Sequence, residues 1–132
     1  YSVEHRSTDG SSEKFGLATD IGCITDTLLS ELSGADSVVI EANHDVEMLL
    51  AGPYPYHLKR RILSDFGHLS NEHSAKLAEY LAEHGTKHFV LGHLSKENNY
   101  PPTAEATVRA ALTDFSDITL AVASPDMPTR IV

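Results

Sequence analysis

Three side chains of metal-binding type fall at the ends of apolar segments, and two more stand in a nearby loop. Asp20 stands in ATDIG, just after the strand-like KFGLAT, and Glu41 closes the β-branched run SVVIE. His93 directly follows the apolar HFVLG, while Asp65 and His68 occupy the loop ahead of the strongest helical pattern. In open sheets of parallel strands, ligands gather beyond the carboxyl ends. Carboxylates and imidazoles delivered to one such rim are what a divalent ion needs. Asp and His suit hard and borderline ions, and each ligating imidazole needs a partner on its other nitrogen to fix the tautomer. The same residue types also favour turns, where Asp bonds nearby backbone amides. From the residues alone, Asp20 and His93 read equally as metal ligands or as turn residues.

His68 and His93 sit in near-identical hexapeptides, GHLSNE and GHLSKE. Their flanks share no period, so two separate placements explain the pair better than duplication. The first GHLS precedes a helix that Ser70 can cap, and the second follows a buried strand. The other histidines read as structural or solvated: His73 and His84 at the ends of the long helix, His57 on a basic helix, His88 at the start of a strand. His5 lies on a strand at the front edge. Other chemistries lack their parts. There is no G-x-S-x-G elbow, no phosphate loop and no G-x-G-x-x-G after a strand. Cys23, the sole cysteine, cannot form a thiolate zinc site and reads as a small core filler.

The elements that must position these groups follow from periodicity and punctuation. YSVEHR and KFGLAT flank Asp9-Gly10, a hairpin signal. Ile24, Leu28, Leu29 and Leu32 make one helical face, capped by Thr25 and ended by Gly34. DSVVIEA is a buried strand, followed by one or two helical turns in HDVEMLLAG and a short helix in PYHLKRRILSD. SNEHSAKLAEYLAEHG is the clearest helix, with Leu77, Ala78, Leu81 and Ala82 on its apolar face and Gly85 as its stop. KHFVLG is a strand. PTAEATVRAALTDF is a helix capped by Thr103 that buries Ala104, Val108, Ala111, Leu112 and Phe115. ITLAVAS is the last full strand, and RIV can add an edge. The order β-β-α-β-α-α-β-α-β predicts one α/β layered domain with crossover helices.

Composition sets the class. The 132 residues carry 41% hydrophobic and 22% charged side chains, enough for a moderate core. No run approaches the roughly 18 apolar residues of a membrane span, and no signal peptide opens the chain, so a soluble protein without membrane contact is expected. A single cysteine fits a reducing, cytoplasmic setting. The net charge of −9 disfavours a broad electrostatic grip on nucleic acid. YHLKRR is the local exception: Lys59, Arg60 and Arg61 form either a phosphate-contacting strip or an ordinary amphipathic surface helix. The chain begins at Tyr1 inside a strand-like segment and reads as part of something longer.

Three blocks carry a family resemblance: FGLATDIG, VVIEANHDVEMLLAGPYPYHLKRRILSDFGHLSNEHSAKLA and FVLGHLSKENN. Together they resemble the metallo-β-lactamase-fold hydrolases of the WalJ (YycJ) type, bacterial cytosolic enzymes related to the ribonuclease Z and phosphodiesterase branches. The resemblance implies an αββα sandwich of which this chain is the C-terminal half, a mixed sheet with flanking helices. It also implies two divalent ions, Zn or Mn. Asp20 matches the aspartate that bridges them and His93 the last histidine ligand. His68 matches a histidine beside the scissile phosphate, acting as general acid or as stabiliser of charge on oxygen, and Glu41 resembles the acidic residue that orients it. His44, Asp45 and Asp65 fall in the same blocks as candidate lining residues, and Lys59, Arg60 and Arg61 as candidate phosphate contacts.

The family's H-x-H-x-D-H motif and its next histidine are missing from this chain, and His5, inside the hairpin, is misplaced to replace them. The expected activity is therefore that of a longer parent, a phosphodiesterase or DNA exonuclease using metal-bound hydroxide. This chain alone is expected to bind metal weakly and to be inactive. The inner sheet face is expected to be covered by the missing N-terminal half, by a second copy of the chain, or by rearrangement. Alternative readings are a hydrolase of small phosphodiesters or esters, and a non-catalytic fragment or dimeric binding module.

Overall fold

The computed structural model describes residues 1–131. Strands β1 (Ser2–Arg6) and β2 (Ser12–Ala18) pair antiparallel, with Val3 opposite Phe15. Gly10 turns the hairpin at φ 88°, and the Asp9 carboxylate accepts the Ser11 amide proton at 2.9 Å. Strands β3 (Ser37–Glu41), β4 (His88–Gly92) and β5 (Thr119–Val122) then run parallel to β2, giving a mixed sheet in the order β1-β2-β3-β4-β5.

Parallel neighbours require crossovers. Helix α1 (Asp26–Leu32) joins β2 to β3, helices α2 (Val46–Ala51), α3 (Tyr56–Ile62) and α4 (Asn71–Glu83) join β3 to β4, and α5 (Pro101–Ala111) joins β4 to β5. Thr25 and Ser70 cap α1 and α4 as their sequences predict, accepting the amide protons of Leu28 and His73. Gly34 and Gly85 follow those helices in the left-handed conformation.

Three local expectations are corrected. The turns in HDVEMLLAG form a separate helix, α2, so three helices rather than two separate β3 from β4; Asp45 caps it. Helix α5 starts at Pro101, not after Thr103. Two prolines at its first positions preset φ and have no amide proton to cap, and the Tyr100 carbonyl accepts from Thr103 and Ala104. Arg130 and Ile131 join no strand, and Val132 lies outside the described residues.

One sheet face supplies the core. Ala18, Val38, Ile40, Phe89 and Leu91 are buried in a cluster with Leu32 of α1, Leu77, Ala78 and Leu81 of α4, and Ala104 and Val108 of α5. Gly16 lets α1 approach the sheet, because a Cβ there would lie 2.7 Å from Leu32 Cδ2. The opposite face is also apolar but only partly covered: Phe15, Leu17 and Val39 are half-buried and Val3 is 64% exposed. Ile131 lines a hollow on this side with Val3, Phe15 and His88. Among the described residues no helix is long and apolar enough to cross a membrane.

Because β2, β3 and β4 run parallel, their carboxyl ends share one rim, with Glu41 in register with Gly92. Side-chain amides lace the loops above it. Asn43 donates to the His93 carbonyl at 2.9 Å, its own carbonyl accepts from Ser95, and its amide donates to Leu69. Asn71 and Asn99 exchange reciprocal bonds of 3.0 and 2.9 Å, and Asn99 also donates to the Ala42 carbonyl. The packed helix beneath is the support for this rim. Leu81→Ala, at a fully buried position of α4, should destabilise the protein by about 2–5 kcal/mol, read as a lower urea midpoint.

Candidate metal centre

Glu41 ends β3 fully buried, a carboxyl group that must find donors where it sits. It finds three. One oxygen, Oε1, lies 2.7 Å from Nδ1 of His68 and 2.7 Å from Nδ1 of His93, and Oε2 accepts the Ile21 amide proton at 3.0 Å. A carboxylate only accepts, so each imidazole carries a proton on Nδ1, and Nε2 is the nitrogen left to hold a ligand or a second proton. The two rings meet edge to face with centroids 5.1 Å apart. A buried carboxylate thus orients both histidines of the paired GHLS motifs.

Asp20 completes the group. Its Oδ1 lies 3.7 Å from His93 Nε2 and 3.9 Å from His68 Nδ1. One donor atom from each of Asp20, His68 and His93 falls within 4.8 Å of the others, a spacing that suits a single divalent ion. Asp20 and His93 are also two of the three non-glycine residues at positive φ among the described residues, at 56° and 57°. Left-handed backbone costs roughly 1–2 kcal/mol per residue, and it persists where surrounding structure holds it. Asp20 and His93 are thus turn residues by backbone and neighbours by side chain, over the same rim. With the Asp20 carboxylate 3.7 Å from Nε2 of His93, whose Nδ1 proton a buried acceptor holds, these two residues fit a divalent cation; the His68 nitrogen 3.9 Å from Asp20 is the protonated Nδ1.

A cleft of about 570 Å³ opens over the group, lined by Asp20, His68, His93, Tyr54, Arg61 and Phe66 among others. Of the three cations in YHLKRR, only Arg61 reaches it. Lys59 donates to the carbonyls of Leu50 and Gly52 at 2.6 and 2.7 Å, closing the end of α2, and Arg60 lies over the Tyr56 ring at 5.9 Å. Asp45 accepts from the Met48 amide as the cap of α2 and is not among the residues lining the cleft. Asp65 is exposed beside the neighbouring hollow that also reaches Asp20.

His44 lies beneath the loops rather than in the cleft. It is 1% exposed, and neither ring nitrogen has a hydrogen-bond partner in the protein. Burial pushes its imidazole down to about 4; Glu72 opposes the shift and His68 and His73 add to it. The ring is therefore neutral near pH 7. Two features escape sequence reasoning: the second hydrogen bond of Glu41, to His93, and the entry of His68 into the donor cluster. A carboxylate ending a β-branched strand is the signal, since a desolvated acid there needs several donors.

Known proteins similar to this chain carry a consistent name. Exodeoxyribonuclease WalJ of Streptococcus pneumoniae serotype 2 (strain D39) is 48% identical over 96 residues, covering 73% of this chain and 36% of the relative. Exodeoxyribonuclease YycJ of Bacillus anthracis is 39% identical over 125 residues, covering 91% of this chain and 47% of the relative. The chain is a homologue of the WalJ and YycJ proteins. It spans less than half the length of these WalJ and YycJ relatives. No protein-family model matches it.

Two measurements probe the centre. Glu41→Gln replaces an acceptor with a group that must turn an N–H toward Ile21 or the histidines, and it should weaken divalent-metal affinity about 10–100-fold in a calorimetric titration of the intact protein. His44 has the second test. Its folded pKa of about 4 lies below the ordinary 6.5, so unfolding between those values takes up a proton. Stability should rise as pH climbs from 4 to 6.5 and not change further above it. His44→Leu should remove that slope, which is on the order of 3 kcal/mol, in urea midpoints compared at pH 4.5 and pH 7.

Proposed function

We propose that this chain is the C-terminal half of a metallo-β-lactamase fold and contributes to a metal-dependent phosphodiesterase that cleaves DNA. One observation carries the reading: a fully buried Glu41 fixes the tautomer and aim of two imidazoles beside Asp20. Structural histidines do not need a shared buried carboxylate, whereas ligands and proton carriers do. The exodeoxyribonuclease names of the relatives supply the substrate class.

Within this reading Asp20 and His93 would hold the metal. A divalent ion held there, zinc or manganese, would supply activated water near neutral pH and positive charge beside the phosphoryl oxygens. The remaining work belongs to the chain. Glu41 holds a proton at Nδ1 of each histidine; His68, when its Nε2 is protonated as well, would give that second proton to the departing oxygen, and Arg61 would meet a phosphate of the strand. The half-covered apolar face, with Phe15, Leu17 and Val39, supports a second half packed against it. The cytoplasm is the expected compartment. A second copy of the chain on that face is the competing arrangement, and light scattering of the chain alone separates the two.

Substitution in the intact protein tests the roles. Asp20→Ala should abolish metal-dependent DNA cleavage. His68→Ala should lower kcat about 10²–10⁴-fold while metal content, read by elemental analysis, stays at the unsubstituted level. Loss of metal from the His68 variant would reassign that residue from proton transfer to ligation.

A further inference from the structure

Phe66 is an apolar ring held in water at the mouth of the candidate centre. It is 93% exposed, yet it stands two residues before His68 and lines the same cleft as Asp20, His68 and His93. A neighbouring hollow that includes Asp20 reaches it as well. Isolated exposed apolar residues are common, but a large ring on a rigid loop beside a polar site is not a default surface choice.

The loop is rigid for identifiable reasons. The Gly67 amide donates to the Ser64 carbonyl at 2.8 Å, the His68 amide to the Ile62 carbonyl at 3.1 Å, and the Ser64 hydroxyl to the Arg61 carbonyl. Gly67 is pressed on the end of α3, where a Cβ would fall 2.0 Å from the Ile62 carbonyl oxygen. On its other side Gly22 approaches so closely that a Cβ would lie 2.2 Å from the Asp65 carbonyl oxygen. Clamped on both sides, the backbone holds Phe66 at the mouth of the cleft, with its side chain exposed to water. The ring is presented, not merely left over.

We propose that Phe66 is a stacking platform for a nucleobase at the end of the substrate strand, with Arg61 on the adjacent phosphate. This rests on the DNA-cleaving reading and adds what recognises the strand. Aromatic stacking suits a nuclease that must accept any sequence, because every base offers a π-face. It also answers a shortage of charge. The chain has a net charge of −9, Lys59 is committed to α2 and Arg60 lies over Tyr56, so backbone electrostatics leave much of the binding to the base. Packing of Phe66 against the remainder of the protein is the competing role.

The test uses the intact protein with its metal and single-stranded oligonucleotides whose terminal nucleotide, at the 5′ or the 3′ end, is either complete or abasic. The unsubstituted protein should prefer the complete end by about tenfold in kcat/KM. Phe66→Ala should collapse that ratio toward one through KM, and Phe66→Trp should restore it. A ratio unaltered by Phe66→Ala, or no preference in the unsubstituted protein, overturns the proposal. So does a fall in melting temperature for Phe66→Ala with the ratio intact, which assigns the ring to packing. Absence of any metal-dependent cleavage by the unsubstituted protein refutes the nuclease reading itself, and the stacking role with it.

Discussion

The buried carboxylate of Glu41 is the constraint on which the rim depends. A desolvated acid at the end of a β-branched strand is unfavourable unless donors converge on it. Here they come from three chain segments far apart in sequence: Ile21 after β2, His68 before α4 and His93 after β4. Satisfying one acid therefore fixes three loops against one another. It also sets the protonation pattern of both imidazoles, so the fold's hydrogen-bond accounting and the site's chemistry share the same atoms.

Around that acid the structure stacks supports of different kinds. Asn43, Asn71 and Asn99 tie the loop after β3 to those around α4 and after β4. Ser74 of α4 bonds the Glu41 carbonyl, so the helix with the best apolar face also holds the strand end that carries the acid. Two left-handed residues, Asp20 and His93, add local strain that only such a framework can hold. His44 is the odd member, a buried neutral imidazole whose ring has no hydrogen-bond partner beside a network in which Asn71, Ser74 and Asn99 are paired.

Much of the architecture was legible because its signals are local. The Asp9-Gly10 turn, the Thr25 and Ser70 caps, the Gly34 and Gly85 stops and the apolar faces of α1 and α4 all follow from contacts within a few residues. Departures arise where local chemistry admits two answers. Thr103 is a credible cap until the two prolines before it, needing no cap, let the helix start earlier. Asp45 reads as a site residue by its neighbours and acts as a cap by its bond to Met48. The three cations of YHLKRR look equivalent in sequence, but α3 turns Arg61 to the cleft while Lys59 and Arg60 engage other parts of the surface.

By itself, the order of residues determined the α/β class, the parallel strand ends and the residue types gathered there, because hydrophobic period and strand direction are properties of short segments. It also marked Asp20, Glu41, His68 and His93 as candidate site residues. Only tertiary structure decided that a single oxygen of Glu41 serves both histidines, that His68 stands within reach of Asp20, and that Phe66 faces water. These depend on distances between residues 20 to 70 positions apart, which no local pattern encodes.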